Sequence, residues 1–183
     1  MKHLLLDLGG VVFESSGRES QFIQWKQIGK LNHQYGHDLN LGKDYFADFL
    51  RDYNHLTGQH LSGEAFLQAI FDTLDFNHTL VDCLQKRFHL HILSDNYREN
   101  ITYISHRYEF HRWSETQFYS FQYGMTKSDP RLFEKVLDEI GVIAEDVVFI
   151  DDDINNIRLA QNLGITGIQF VNNAQIFKEI EVC

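Results

Sequence analysis

The chain has 183 residues, of which 43% are hydrophobic and 23% charged, and its formal net charge is −10. This composition is typical of a globular protein, and the length allows one well-buried domain or a core domain with a modest insertion. The acidic balance makes nucleic acid and anionic membrane surfaces unfavourable partners, because both carry negative charge.

The first apolar run is too short to direct the chain to a membrane. It consists of three leucines at positions 4 to 6 and is interrupted by Asp7. A secretory signal needs about 7–15 apolar residues, and a membrane span needs about 20. We therefore expect a cytoplasmic protein that binds neither membrane nor nucleic acid.

The apolar pattern of the first half changes from strand to helix. The leucines at positions 4 to 6 predict a short buried strand. From about residue 18 to residue 76, apolar residues recur every three or four positions, as on one face of a helix. Phe66, Ile70 and Leu74 form one such series. These residues predict a helical segment of roughly sixty residues.

Beyond residue 80, strands and helices alternate. The clearest helix begins with Asp129 as N-cap and Pro130 at its first position, and it ends before Gly141. Strands that alternate with helices imply parallel βαβ units with right-handed crossovers. The predicted strands span 90–93, 117–121, 147–150 and 166–170, and the predicted helices span 98–106, 130–140 and 154–163.

These elements predict an α/β fold with a doubly wound parallel sheet and a small helical cap inserted after the first strand. We place the Rossmann-like core at residues 1–16 and 80–183, and the cap at residues 17–79. A cap this small favours a small substrate over a macromolecule.

Reactive side chains follow four of the predicted strands, and ligands bind beyond the carboxyl ends of strands in such sheets. Taken singly, each group is explained as a turn residue, a helix cap or a solvated lysine. Together they supply a carboxylate nucleophile, a hydroxyl donor, a cation and an acidic pair, which metal-assisted phosphoryl transfer requires. The groups are Asp7, then Ser94-Asp95-Asn96, then Lys127, and finally Asp151-Asp152-Asp153.

The four segments resemble, in order and in strand context, the four motifs of the haloacid dehalogenase superfamily. With the helical insert after the first motif, the resemblance covers nearly the whole chain. It is strongest to small helical-capped members such as sugar-1-phosphate phosphatases. The segments are DLGGVVFE at Asp7, HILSDN at Ser94, GMTKSDPRLF at Lys127 and VVFIDDDINNIRLAQNLG at Asp151-Asp152.

The resemblance implies a metal-dependent site with Asp7 as the nucleophile that forms an aspartyl-phosphate. Mg²⁺ would be held by the Asp7 carboxylate, the Gly9 carbonyl and the Asp152 carboxylate, with Asp151 reaching it through water. Asn156, one turn into the next helix, would support this site.

The resemblance also assigns the residues that bind the phosphoryl group of a small phosphorylated metabolite. Ser94 and the backbone amides of Leu8 and Gly9 would bind the phosphoryl oxygens, and Lys127 would neutralise negative charge around Asp7. The implied catalytic residues are Asp7, Ser94 and Lys127. The implied substrate-binding residues are Leu8, Gly9, Ser94, Asp95, Asn96 and Lys127.

The chain departs from the family pattern at Gly9. Phosphatases of this family usually carry an aspartate there, which acts as general acid for the leaving group. General acid–base catalysis is typically worth about 10²–10⁴-fold, so hydrolysis of esters with poor leaving groups should be slow. A residue elsewhere could replace the acid, although each cap histidine is also explained as a solvated surface residue. The candidates are Glu14, His33, His37, His55 and His60.

Three hypotheses follow. The first is a Mg²⁺-dependent phosphatase of a small phosphomonoester, weakened by Gly9. The second is a non-enzymatic binding or regulatory domain whose site has lapsed. The third is a dehalogenase-like hydrolase, which needs no acid at Gly9 but leaves the pair Asp151-Asp152 unexplained.

A histidine pair outside these motifs could also bind metal. His89, directly before the predicted strand 90–93, and His91 within it lie two apart and therefore share a face of extended chain. A zinc site needs three or four protein ligands, and no third ligand is evident from the sequence. An ordinary strand surface is the simpler interpretation.

Overall fold

Seven β-strands form two sheets in the computed structural model, which describes residues 2–180. The larger sheet has five strands, all parallel, and the smaller sheet is a single antiparallel pair. The strands are β1 (His3–Leu6), β2 (Phe13–Ser15), β3 (Leu74–Phe76), β4 (His89–Ser94), β5 (Thr116–Tyr119), β6 (Val147–Asp151) and β7 (Thr166–Gln169). The larger sheet has the order β5-β4-β1-β6-β7, and β2 pairs with β3.

Four of the α-helices lie between β2 and β3, and we call residues 16–73 the helical insert. The first two of them are joined by a π-helical segment, Asn32–Gly36. The helices are α1 (Trp25–Leu31), α2 (His37–Asn40), α3 (Phe46–Thr57), α4 (Gly63–Phe71), α5 (His78–Leu84), α6 (Arg98–Arg107), α7 (Ser120–Tyr123), α8 (Pro130–Ile140), α9 (Ile154–Asn162) and α10 (Asn173–Glu179).

The central strand β1 is buried on both faces. Its leucines are completely inaccessible, and alternate leucines belong to two separate hydrophobic clusters. Leu5 packs with Phe133 of α8 and Phe149 of β6 on one face. Parallel sheets are covered by helices on both faces, which explains why the strand reads as a continuous apolar run. The predicted α/β fold is confirmed.

The helical insert shares a hydrophobic cluster with the other face of the sheet. One continuous hydrophobic cluster includes Leu6 of β1 together with Phe49, Tyr53 and Phe66 of the insert. The buried Tyr53 hydroxyl donates to the Phe22 carbonyl at 2.7 Å, which fixes the start of the insert against α3. Because the cluster is continuous, the predicted boundaries of core and cap stay a prediction.

Two elements end earlier than the apolar periodicity predicts. Leu74 was expected on a helix, but α4 ends at Phe71 and Leu74 pairs with Ser15 in the smaller sheet. The Thr73 hydroxyl and backbone N–H both donate to the Ile70 carbonyl, at 2.6 and 2.9 Å, and close the helix. The periodicity could not show this, because Leu74 continues the apolar spacing of α4.

The predicted strand 117–121 also stops early. β5 ends at Tyr119 because its neighbour β4 ends at Ser94, which is the residue paired with Tyr119. Phe121 lies instead on the helical turn α7. The Asn96 N–H donates to the Ser120 hydroxyl at 3.0 Å, and this contact turns the chain away from the sheet.

Three histidines meet at the amino edge of the larger sheet, on the face covered by α8 and α9. His3 provides the partner that the sequence did not reveal for His89 and His91: its Nδ1 lies 3.0 Å from His91 Nε2, and its ring stacks on His89 at 4.8 Å. His89 Nδ1 lies 2.7 Å from the Glu115 carboxylate. His91 is 3% exposed, and burial and the neighbouring His3 lower its pKa to about 4. The expectation of an ordinary strand surface is therefore wrong for His91.

We expect His91 to make the folded protein sensitive to acid. Its folded pKa lies below the usual value of 6.5, so the unfolded state binds more protons and stability falls as pH falls below about 6.5. The loss should reach about 2 kcal/mol between pH 7.5 and pH 5. Urea unfolding of wild type and His91→Phe at both pH values would measure it. The variant should lose less stability than wild type, whereas a His106→Gln control on the exposed face of α6 should lose as much. Equal losses in wild type and His91→Phe would contradict this assignment.

Candidate active site

The carboxyl edge of the larger sheet brings together residues from three strands and one loop. Asp7 directly follows β1, Ser94 ends β4 and Asp151 ends β6, and these three strands are adjacent. Lys127 comes from the loop between α7 and α8. All four side chains are buried although they are polar. Burial of polar groups is costly unless they are paired, so this cluster needs an explanation.

The Lys127 ammonium lies between two carboxylates. Its Nζ is 2.9 Å from Asp7 Oδ2 and 2.5 Å from Asp151 Oδ2, and the residue is 3% exposed. Burial alone would favour the neutral amine, but the charges of Asp7 and Asp151 raise the pKa of Lys127. The lysine is therefore a fixed cation beside Asp7.

Asp151 is held in place by a set of donors in addition to Lys127. Its Oδ1 accepts the Asp153 N–H at 2.7 Å, and Asn156 Nδ2 lies 3.2 Å from Oδ2. Asn156 thus contacts the site in the way expected of a supporting residue. The Asp153 side chain points elsewhere and accepts from the Asn155 N–H, capping α9.

Three carboxylates converge on a position that suits a metal ion. Asp7, Asp151 and Asp152 each offer an oxygen within 4.8 Å of the others. Burial raises the pKa of Asp7 to about 6 in spite of Lys127, and Asp151 adds to the rise. Burial and Asp151 also raise the pKa of Asp152. A divalent cation would relieve this repulsion, and carboxylate oxygens are the ligands that Mg²⁺ prefers. The residues present therefore fit the expected ion.

The loop after β1 is shaped by two glycines with different requirements. Gly10 has a φ of 71°, and a Cβ there would lie 2.4 Å from the Asp152 carboxylate, so only glycine lets the loop approach Asp152. Gly9 has no atom within 4 Å of the position that a Cβ would occupy, and its φ is outside the left-handed region. A Cβ at position 9 would therefore meet no neighbouring atom.

Asp95 and Asn96, which the sequence assigns to substrate binding, make contacts that shape the site. The Asp95 carboxylate accepts the Lys127 N–H at 2.9 and 3.1 Å and ties the two loops together. Asn96 Oδ1 accepts from the Tyr97 N–H and from Asn100 Nδ2, both at 3.0 Å. These contacts describe positioning residues, and a direct role in substrate binding stays a prediction.

None of the suggested substitutes for the missing acid lines the cavity beside Gly9, as far as the described residues show. Glu14 instead accepts a hydrogen bond from Asn77 Nδ2 at 2.7 Å. The cavity has a volume of about 270 Å³ and lies between the sheet and the helical insert. Its polar lining includes Asn32 and Asn100, which sequence reasoning did not identify, because neither belongs to a motif.

The buried Asp7 carboxylate, the buried Lys127 ammonium and the acidic cluster thus lie at the edge of the parallel sheet where α/β proteins bind ligands. The family model for haloacid dehalogenase-like hydrolases matches residues 1–164. The chain belongs to this family.

Related proteins of this family differ in activity. The chain is 24% identical to a D-ribitol-5-phosphate phosphatase of Bacteroides thetaiotaomicron over 100% of this chain and 98% of that protein. A haloacid dehalogenase family enzyme of the same species, solved with magnesium and inorganic phosphate, has a TM-score of 0.72 at 21% identity and covers 97% of this chain and 99% of its own. A 2-haloacid dehalogenase of Pseudomonas syringae has a TM-score of 0.61 at 16% identity, over 93% and 86% of the two chains. In the described part of the chain, no helix is long and apolar enough to cross a membrane.

Proposed function

We propose that the protein is a Mg²⁺-dependent phosphatase of a small phosphomonoester and that Asp7 is its nucleophile. The observation that carries this proposal is the Lys127 ammonium fixed between Asp7 and Asp151, with Asp152 completing a carboxylate cluster. A dehalogenase needs no metal, and its anionic substrate would be repelled by that cluster. The cytoplasmic location expected from the sequence stays a prediction.

In the proposed reaction, an Asp7 carboxylate oxygen attacks phosphorus as the bond from phosphorus to the ester oxygen breaks. The leaving oxygen keeps the electron pair and takes a proton from solvent. Water then attacks the aspartyl-phosphate and releases inorganic phosphate and the Asp7 carboxylate. Lys127 lies beside the Asp7 carboxylate and Ser94 ends the strand next to β1, so we assign both to binding the phosphoryl oxygens. Mg²⁺, when bound by the carboxylate cluster, would supply further charge neutralisation.

Two similarities support a phosphatase over the other hypotheses. The similarity to one relative, a D-ribitol-5-phosphate phosphatase, spans the whole of this chain, and one structural neighbour was solved with magnesium and inorganic phosphate. The contacts among Asp7, Lys127 and Asp151 are intact, which argues against a site that has lost its activity. Removing these charges from water costs free energy that their mutual attraction repays only in part, so a functional role explains why they are buried.

The test is phosphate release from acetyl phosphate and phenyl phosphate by wild type and by Asp7→Asn, each with Mg²⁺ and with chelator. We expect release only from wild type with Mg²⁺. Asp7→Asn keeps the shape of the side chain, so a circular dichroism spectrum and urea midpoint should verify its fold. Equal inactivity of both proteins under all conditions would reject the phosphatase and favour a binding domain. Mg²⁺-independent halide release from a 2-haloacid would favour the dehalogenase.

A further inference from the structure

The cavity beside Gly9 carries no charged side chain among the described residues that line it. Leu8, Gly9 and Gly10, the three residues that follow Asp7, form part of its wall, so the cavity adjoins the carboxylate cluster and offers space for the leaving group of a bound phosphomonoester. We infer that the substrate is a phosphate ester of a small, uncharged phenol with one aromatic ring. This inference rests on the proposed phosphatase function and specifies the substrate class of the same site.

The walls of this cavity are mainly apolar. A volume of about 270 Å³ exceeds the roughly 150 Å³ that holds one benzene ring, but it leaves little room for a second ring system. An uncharged aromatic ring gains by burial there, whereas a carboxylate, ammonium or second phosphate would lose its hydration without a partner. The apolar lining includes Phe13, Trp25, Ile28, Phe49, Phe71 and Leu74.

The cavity offers few polar side chains to a polyol, namely those of Asn32, Asn96, Tyr97 and Asn100. Asn96 Oδ1 already accepts two hydrogen bonds, and one of them uses Asn100 Nδ2. Asn100 Oδ1 is buried and has no hydrogen-bond partner, so it could accept one donor from a ligand. A ribitol chain carries several hydroxyl groups, each of which needs a partner when it leaves water. One ring substituent with a single donor matches this lining better.

The absence of a general acid points to the same substrate class. Gly9 offers no proton, and the cavity lining contains no Asp, Glu or His among the described residues. Tyr97 carries the one ionisable group in that lining, and burial raises its pKa, so its phenol is a poor proton donor. A leaving oxygen must then depart as an anion. A phenolate, with a pKa of about 10 for its phenol, departs far more easily than an alkoxide.

Two matched pairs of substrates test the two parts of the inference. Phenyl phosphate and benzyl phosphate differ by one methylene, which separates phenolate from alkoxide departure. We expect kcat/KM to be at least about 100-fold higher for phenyl phosphate. 4-Methylphenyl phosphate and O-phosphotyrosine differ by the charged amino-acid group, and we expect at least about a 10-fold preference for the uncharged ester.

The helical insert supplies a matched pair of variants. Trp25 lines the cavity and is 51% exposed, so Trp25→Ala should fold and should lower kcat/KM for phenyl phosphate about 10-fold, mainly through KM. Phe22 is a comparably exposed aromatic residue of the insert, 44% exposed, that lies outside this cavity. Phe22→Ala should match wild type.

The outcomes separate the substrate class from the reaction. The inferred substrate class would be wrong if ribitol 5-phosphate or benzyl phosphate released phosphate faster than phenyl phosphate, or O-phosphotyrosine faster than 4-methylphenyl phosphate. The proposed phosphatase function would still hold in each of these cases. An equal loss of kcat/KM in Trp25→Ala and Phe22→Ala would show that the cavity does not bind the leaving group. That result would also overturn the inferred substrate class. No phosphate release from any of these esters or from acetyl phosphate, an acyl phosphate, would overturn both proposals.

Discussion

Gly9→Asp should raise the rate of phosphate release from benzyl phosphate by about 100-fold or more. The substitution supplies a carboxylic acid where the family's phosphatases carry one, and general acid catalysis is worth about 10²–10⁴-fold for a leaving group that needs protonation. A Cβ at this position has open space, because nothing lies within 4 Å of it and φ is outside the left-handed region. Single-turnover measurements under saturating benzyl phosphate would give the rate of the chemical step.

The control for this gain is Gly9→Asn, which has almost the same shape and no acidic proton. It should stay at the wild-type rate with benzyl phosphate. For phenyl phosphate, Gly9→Asp should gain much less, because the phenolate leaves without assistance. A Gly9→Asp protein that folds, binds Mg²⁺ and still hydrolyses benzyl phosphate no faster than wild type would show that proton donation does not limit this enzyme.

Lys127→Met should remove phosphatase activity almost completely and destabilise the fold. Loss of one preorganised electrostatic donor typically costs about 10²–10³ in kcat. The variant also leaves Asp7 and Asp151 buried without their cation, and breaking a buried ion pair from one side costs about 3–5 kcal/mol. Urea unfolding in the presence of chelator would measure the stability loss. Added Mg²⁺ should restore more stability to the variant than to wild type, because the ion then replaces the missing positive charge.

Lys43→Met is the matched control for this change. Lys43 forms an ion pair with Asp38 at 2.8 Å, but its side chain is 55% exposed. Exposed ion pairs contribute little because water and salt screen them. We therefore expect no measurable change in the urea midpoint or in activity for Lys43→Met. A Lys127→Met protein as stable as Lys43→Met would mean that the buried cation does not hold Asp7 and Asp151 together.

The order of strands and helices could be predicted because each is encoded locally. The leucines of β1 are apolar without alternation, and α8 has its own start and stop residues: Asp129 accepts from the Arg131 N–H at 3.0 Å, and Gly141 adopts a left-handed conformation. The errors occurred where a tertiary contact ended an element. Leu74 keeps helical spacing and still pairs in a strand, and Phe121 keeps strand character after the neighbouring strand has stopped.

The candidate site could be predicted where its residues directly follow the ends of strands. Residues that follow adjacent parallel strands must meet at one edge, which brings Asp7, Ser94 and Asp151 together. The cavity was not predictable, because Trp25 and Asn100 reach it from helices far apart in sequence. The His3–His91 contact was missed for the same reason, since only the register that pairs β1 with β4 places the two rings together.

The central position of β1 has a consequence for the newly made chain. This strand is synthesised before both of its neighbours, β4 and β6, and His3 pairs with Val147 in the native register. At a translation rate of about 5–20 residues per second, β1 waits on the order of ten seconds for its second neighbour. During that time its three leucines have an open hydrogen-bonding edge, which is the kind of exposed apolar strand that aggregates or binds chaperones. Asp7 is thus synthesised well before Asp151 and Asp152, so the carboxylate cluster can form only after β6 has been made.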